Sequence, residues 1–356
     1  MDKKDLTTDE HLMAVKKPQN LTVDFRADKP LPDWVRDLID THLAIETEDA
    51  KSAGALGFMA RALVIATMPY KDPKADAFVR TNGDFRLRIV AGYEGGIPYG
   101  IYPRLLMSWV ATEAVQKKSP VIELGDSLRV FLRDVLELRS NGGGKRGSGA
   151  RVTEQMKRLF GSMVTAQYSG TLEKRGFTLR NVLIAEELNL DEDDSKALDL
   201  LEAPPAAGTD EDAQKLWTPQ ATHEAGQWRS QVRLTNNFFQ ECINNPVPID
   251  LRAYKALRGS PLAMDVYTWM TYRMSYTRRR TKPIPWVSLM NQFGASINRA
   301  DLDQAVRDFR KAFLRALKLV LVVYPDAKVE INEQGLVLIP SRPHVLPDKA
   351  VQQDLF

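Results

Sequence analysis

Residues 300–319 read ADLDQAVRDFRKAFLRALKL, and this stretch decides the fold. Leu302, Val306, Phe309, Phe313 and Leu317 recur at intervals of three and four, the spacing that lines one side of a helix with apolar groups. Arg307, Arg310, Lys311, Arg315 and Lys318 fall away from that stripe, with Asp301, Asp303 and Asp308 among them. The spacing predicts a helix over 300–319 that buries one side and shows cations on the other. Val320–Tyr324 either prolongs it or forms a strand. Lys328–Ile331 and Leu336–Ile339, joined through Glu333-Gln334-Gly335, then read as a closing hairpin.

Upstream, Trp286–Phe293 predicts a shorter helix stopped by Gly294, and Pro283–Pro285 a short extended piece. Ser260–Arg278 predicts a long amphipathic helix, with Ser260 and Pro261 suited to its N-cap and first turn. The order is therefore helix, strand, helix, helix, hairpin. It recurs earlier, with a helix over Tyr102–Gln116, a strand at Val121–Leu124 and a helix to about Leu138 that Asp126 or Ser127 can cap. A flexible basic loop at Asn141–Gly149, a helix over Arg151–Tyr168 and the strand of a wing at Thr178–Ala185 complete this copy. The copies share order and little residue identity, so the repeat is structural. The fold class expected is mainly α with small β hairpins, an α+β chain built from two tandem winged-helix-like domains.

Before the first copy, Pro32–Thr47 and Glu48–Met68 read as helices, the second ended by Pro69. Asn82-Gly83 between alternating segments predicts a hairpin across Phe78–Val90. The expected division is a loose arm at 1–30, a first domain at 31–190, an acidic linker at 191–214, a second domain at 215–341 and a tail at 342–356.

A chain of 356 residues exceeds what one core usually organises. Its 44% hydrophobic and 27% charged residues are ordinary for a folded protein. Runs such as Leu63–Met68 are far shorter than the roughly 20 residues of a membrane span. Met1–Glu10 is charged and lacks the apolar core of a secretory signal, and the single Cys242 cannot form an internal disulfide. A cytoplasmic protein is expected.

Net charge is only +3, and its distribution says more than its sum. Between Arg139 and Arg180 lie nine cations against Glu154 and Glu173, the kind of local excess that duplex DNA selects. Candidate contacts in the first copy are Lys145 and Arg146 in the loop, then Arg151, Gln155, Lys157 and Arg158 on the helix. In the second copy they are Arg299, Arg307, Arg310, Lys311 and Arg315, since a helix so furnished can enter the major groove, where arginine bonds guanine bidentately. Arg278, Arg279, Arg280 and Lys282 suit phosphate positioning better than base reading. Trp109, Trp269, Trp286, Phe293, Phe309 and Phe313 sit at helical spacing among aliphatics and read as core.

No catalytic centre emerges. Around Gly144-Lys145 a phosphate-binding loop would need glycine in place of Arg139 and serine or threonine in place of Arg146. His11, His42, His223 and His344 are scattered singly, where a metal-dependent nickase needs them clustered. Glu186-Glu187 adjoins an acidic run and reads as solvated charge. The expectation is a protein that is not an enzyme and uses no cofactor or metal.

Several blocks carry a resemblance. Glu48–Leu63, Gly96-Ile97-Pro98-Tyr99-Gly100, Pro103-Arg104, Trp109, Thr112-Glu113-Ala114 and Leu124-Gly125-Asp126-Ser127 resemble the plasmid-encoded RepA-type replication initiators. So do Asn245–Asp250, Ser260–Tyr267, Trp269, Tyr272-Arg273, Pro285-Trp286, Leu289 and Gln292-Phe293-Gly294, the whole spanning residues 35–342. The resemblance implies a winged-helix initiator that binds repeated sequences (iterons) in duplex DNA at its plasmid's origin, promotes opening and recruits host replication proteins. It also implies autorepression linked to copy control, as monomer or homodimer. A transcriptional regulator without a replication role is the alternative. At the C-terminus, Gln352, Leu355 and Phe356 are similar to the bacterial sliding-clamp-binding pentapeptide, with Gln353 where leucine is usual. The host clamp, initiator and replicative helicase are the implied partners.

Overall fold

The computed structural model describes residues 32–83, 85–124, 130–137, 147–168, 182–190, 230–294 and 301–345. The expected arm at 1–30, most of the basic loop, the linker at 191–214 and the tail beyond Val345 lie outside them.

Helix α1 spans Asp33–Thr47, as its apolar spacing predicts. The single helix expected over Glu48–Met68 is not formed. Strand β1 (Leu56–Ala60) and the short helix α2 (Arg61–Ile65) replace it. The alanine and leucine content favours helix, but Leu56–Ala60 finds a partner strand, β9 (Pro246–Asp250), and pairs with it antiparallel, Phe58 opposite Pro248. Tertiary pairing thus overrides local propensity.

The hairpin forms where Asn82-Gly83 predicts it, from β2 (Ala77–Asn82) and β3 (Phe85–Ala91) with Asn82 opposite Phe85. Gly83 has φ +56, the left-handed conformation that two-residue hairpin turns require. Helix α3 (Tyr102–Lys117) and strand β4 (Val121–Glu123) follow as expected. The helix expected to run to Leu138 is described only as a π-helical turn over Phe131–Val135.

Helix α4 spans Ser148–Phe160, so the helix predicted through Tyr168 stops early, at Gly161. Ser162–Tyr168 is instead strand β5, which pairs with β3 along its length and puts Val164 opposite Ile89. Paired in this way, buried Ser162 and Val164 alternate with exposed Met163 and Gln167, the period of a strand. Strands β6 (Val182–Leu183) and β7 (Ala185–Asn189) come next.

Strand β8 (Gln231–Leu234), helix α5 (Asn236–Asn244), β9, helix α6 (Leu251–Ala256) and a 3₁₀ turn at Leu257–Gly259 lead into helix α7 (Pro261–Tyr276). Ser260 caps α7 by accepting from the Ala263 amide, as its sequence position predicts. Strand β10 (Ile284–Pro285), helix α8 (Trp286–Phe293), helix α9 (Leu302–Val323), β11 (Lys328–Ile331) and β12 (Gly335–Ile339) complete the chain in the expected order. Val320–Val323 prolongs the helix.

An internal repeat is visible in the topology. Strands β4, β8 and β7 form a three-stranded sheet in that order, and β10, β12 and β11 form another in the corresponding order. Each follows a helix (α3 or α7) and receives its later two strands after a second helix pair or turn. The first copy differs by inserting β5 and β6, which join the hairpin in the sheet β2-β3-β5-β6. Strand β8 was expected with the second domain, yet it completes the sheet of the first copy, and residues 191–229 connect two neighbouring strands.

One apolar cluster runs through both copies. The aromatics read as core are core: Trp109 packs on Phe131 at 4.7 Å, Trp269 on Phe293 at 5.5 Å, and Phe313 on Trp286, Phe293 and Phe309. The seam between copies carries polar ties. Arg104 of α3 makes a bidentate pair with Asp265 of α7, and its guanidinium also donates to the carbonyls of Met68, Pro69 and Gly100. His42 of α1 pairs with the Val322 carbonyl at the end of α9, 2.8 Å away.

Candidate nucleic-acid interface

Helix α9 starts cleanly because the Asp301 side chain accepts from the Gln304 amide at 2.9 Å. Phe309, Phe313, Ala316, Leu317, Val320 and Val323 are buried, which fixes the rotation of the helix. Arg307, Lys311, Arg315 and Lys318 are consequently exposed along the opposite side. At a rise of about 1.5 Å per residue this cationic row is about 16 Å long, comparable to several phosphates along one strand.

Arg310 does not belong to that row. Its guanidinium lies 5.1 Å over the Trp286 ring, and Nη2 is 3.5 Å from the Asn332 carbonyl, which also accepts from the Trp286 indole. It is turned toward the closing hairpin. One polar side chain was absent from the sequence-based candidates. Gln304 is exposed on the first turn of α9, donates to Asp308 at 2.9 Å and accepts from Arg307 at 3.0 Å. First-turn residues are those that reach base edges when a helix enters a groove end-on, a positional signal available from the sequence.

Arg278, Arg279 and Lys282 are exposed just beyond α7. Arg280 is paired with Glu330 of β11, which raises the arginine pKa and lowers that of the carboxylate through their hydrogen bond. Thr281 is sewn to β12, its amide donating to the Leu338 carbonyl and its hydroxyl accepting from the Leu338 amide, both at 3.0 Å. The basic run is therefore fixed on the second three-stranded sheet. Arg299 falls in residues 295–300, outside the described residues, as do Lys145 and Arg146 in the first copy and Gln352, Leu355 and Phe356 in the tail.

Helix α4, the counterpart of α9, presents a different surface. Arg151 is exposed, its Nε 3.4 Å from the Gly147 carbonyl, and Lys157 is half-buried. Gln155 is only 4% exposed, and its Oε1 accepts from the Tyr99 amide at 2.9 Å. Arg158 donates to Glu154 at 2.8 Å, lies 3.5 Å from Asp72 and stacks over Tyr99. Partial burial works against its charge, but the Glu154 and Asp72 carboxylates outweigh that and raise its pKa. Tyr93 adds a bond to Glu154 at 3.3 Å. The segment Tyr93–Gly100 thus straps the polar side of α4. Its glycines make this possible: a side chain at Gly95 would collide with Glu154 and Tyr93, and Gly96 holds φ +95.

Among the described residues, no group of three or more His, Cys, Asp or Glu side chains could hold a metal ion, and no helix is long and apolar enough to cross a membrane.

The sequence model of a family described as plasmid encoded RepA protein matches residues 97–201 and 206–286. No curated protein matches the chain. Among solved structures, the crystal structure of domain 2 and domain 3 of RctB matches with 12% identity, covering 80% of this chain and 99% of that chain at a TM-score of 0.41.

Proposed function

The chain belongs to the family of plasmid-encoded RepA proteins, and from that membership we propose that it initiates plasmid replication by binding repeated sequences in duplex DNA at the origin. Each copy of the repeat is read as a winged helix: α7, β10, α8, α9 and the β11–β12 wing in the second, and α3, β4, the turn at Phe131–Val135, α4 and β7–β8 in the first. The observation that carries the reading is the row Arg307, Lys311, Arg315 and Lys318 on the helix that a winged helix places in the major groove. Arg307 and Gln304 at its start are suited to base edges, and Lys311 through Lys318 with Arg278 and Arg279 to phosphates.

Opening of the duplex and recruitment of host proteins belong to the same proposal, with Gln352, Leu355 and Phe356 as the segment that a sliding clamp would capture. A non-enzymatic role without cofactors is part of it. The test is to footprint the purified protein on fragments of its own replicon across a salt series. Regularly spaced protected repeats are expected, with affinity falling about three to five decades from low to physiological salt if some 6–10 phosphates are neutralised. Protection that ignores salt or sequence overturns the reading. A pure autorepressor is separated by deleting Gln352–Phe356, which should abolish plasmid maintenance and spare promoter repression if the protein initiates replication.

A further inference from the structure

We propose that Arg80 is a positioning residue for DNA recognition, reaching from the hairpin beside the first copy to hold the carbonyl at the end of α8, the helix against which α9 of the second copy packs. The proposal rests on α9 being the reading helix.

Arg80 sits in the middle of β2 on the inward side, between buried Phe78 and half-buried Asn82, and is only 5% exposed. Alternation along the strand would place an apolar residue there at no electrostatic cost. A guanidinium at this depth loses its hydration, and burial pushes its pKa down. What it gains is specific. Nη1 donates to the carbonyl of Gly294, the residue at which α8 ends. The guanidinium also lies 4.9 Å over the Phe78 ring, while Nε and Nη2 have no partner among the described residues.

The same end of α8 is tied to the first half of the chain at further points. Gln292 donates to the carbonyl of Ile65 at 3.0 Å, and its own carbonyl accepts from Thr67 at 3.2 Å. Asn82, two residues along β2 from Arg80, donates to the same Ile65 carbonyl at 2.9 Å. The end of α8, whose Phe293 packs on Phe313 of α9 at 5.7 Å, is thereby fixed from outside its own copy. Base reading by a rigid side chain depends on how α9 is seated on α8, whereas phosphate attraction tolerates a shift.

The test uses the full chain with Arg80→Met, which keeps the length and removes the donors, and Arg80→Lys, which keeps one. Affinity is measured at one salt concentration for a footprinted origin repeat and for mixed-sequence duplex, alongside the thermal midpoint and amide exchange. In Arg80→Met, specific affinity should fall at least about tenfold with non-specific affinity within about twofold, and Arg80→Lys should recover part of the loss. Exchange without DNA should rise at 290–294, the end of α8, in both variants. Equal losses of specific and non-specific affinity that track the thermal midpoint would show a merely structural role, and unchanged specific affinity would sink the proposal outright. If Arg80→Met does not fold, the affinity ratio and exchange pattern of Arg80→Lys decide alone. A wild-type chain with no preference for any origin fragment would instead defeat the DNA-reading assignment on which the proposal rests.

Discussion

Arg104 and Asp265 meet across the seam between the two copies, Nε to Oδ1 at 2.9 Å and Nη2 to Oδ2 at 2.7 Å, with the arginine 1% exposed. Each lies near the start of the first helix of its copy, so the pair joins equivalent elements of the repeat. Removing one member strands the other in the interior. Arg104→Met should destabilise the protein by about 3–5 kcal/mol, and combining it with Asp265→Leu should recover much of that loss. Urea unfolding of the single and double variants reads this directly, and an additive double variant would show that the pair is not coupled.

The strapped side of α4 predicts a separation of stability from binding. Arg158→Ala and Gln155→Leu should each cost about 1–3 kcal/mol of stability, because Glu154, Asp72 and the Tyr99 amide lose partners. DNA affinity should stay within about twofold at a temperature where both variants are folded, since neither group is placed to reach a base. A loss of affinity with unchanged stability would return α4 to the role of a reading helix.

Along α9 the expected effects differ by position. Gln304→Ala and Arg307→Ala should cost about 1–3 kcal/mol of discrimination between correct and altered sites. Lys318→Ala should weaken all duplexes alike and reduce the salt slope by about one. Arg310→Ala should act through loss of the Trp286 contact, lowering stability by about 0.5–2 kcal/mol with discrimination retained. Titrations on a repeat and its single-base variants at three salt concentrations distinguish these cases.

His344 makes stability depend on acidity. Its Nδ1 is 2.8 Å from the Tyr267 hydroxyl, its ring stacks on Tyr324, and burial lowers its pKa from 6.5 to about 4, with Asp250, Arg252 and Asp326 nearby. The folded protein therefore keeps the ring neutral while the unfolded chain takes up a proton first. Stability from this group is intact above pH 6.5 and is lost as pH falls from 6.5 to about 4. The loss amounts to at most about 3 kcal/mol. His344→Phe should flatten that part of the urea-midpoint profile, and an unchanged profile would assign the dependence to other groups.

The second copy was legible in the sequence because its elements are local. Leu302 to Val320 declares a helix by period alone, and Ser260, Gly294 and Gly335 mark its neighbours' ends. Beside the first copy, the reading failed where partners are remote in sequence. Leu56–Ala60 is a strand only because Pro246–Asp250 lies beside it, and Ser162–Tyr168 only because β3 does. The candidate site divides the same way. The row on α9 followed from helical geometry, whereas the withdrawal of Gln155, Arg158 and Arg310 depends on Tyr99, Asp72 and Trp286, which no local pattern connects to them.

Asn189 stands opposite Gln231 in the β7–β8 ladder, so the chain comes back beside the place it left after passing through 191–229. A fragment cut anywhere before Gln231 would therefore lose the middle strand of the sheet β4-β8-β7 and leave β4 and β7 without their common neighbour, so the chain cannot be dissected at 191–229 into two self-sufficient halves.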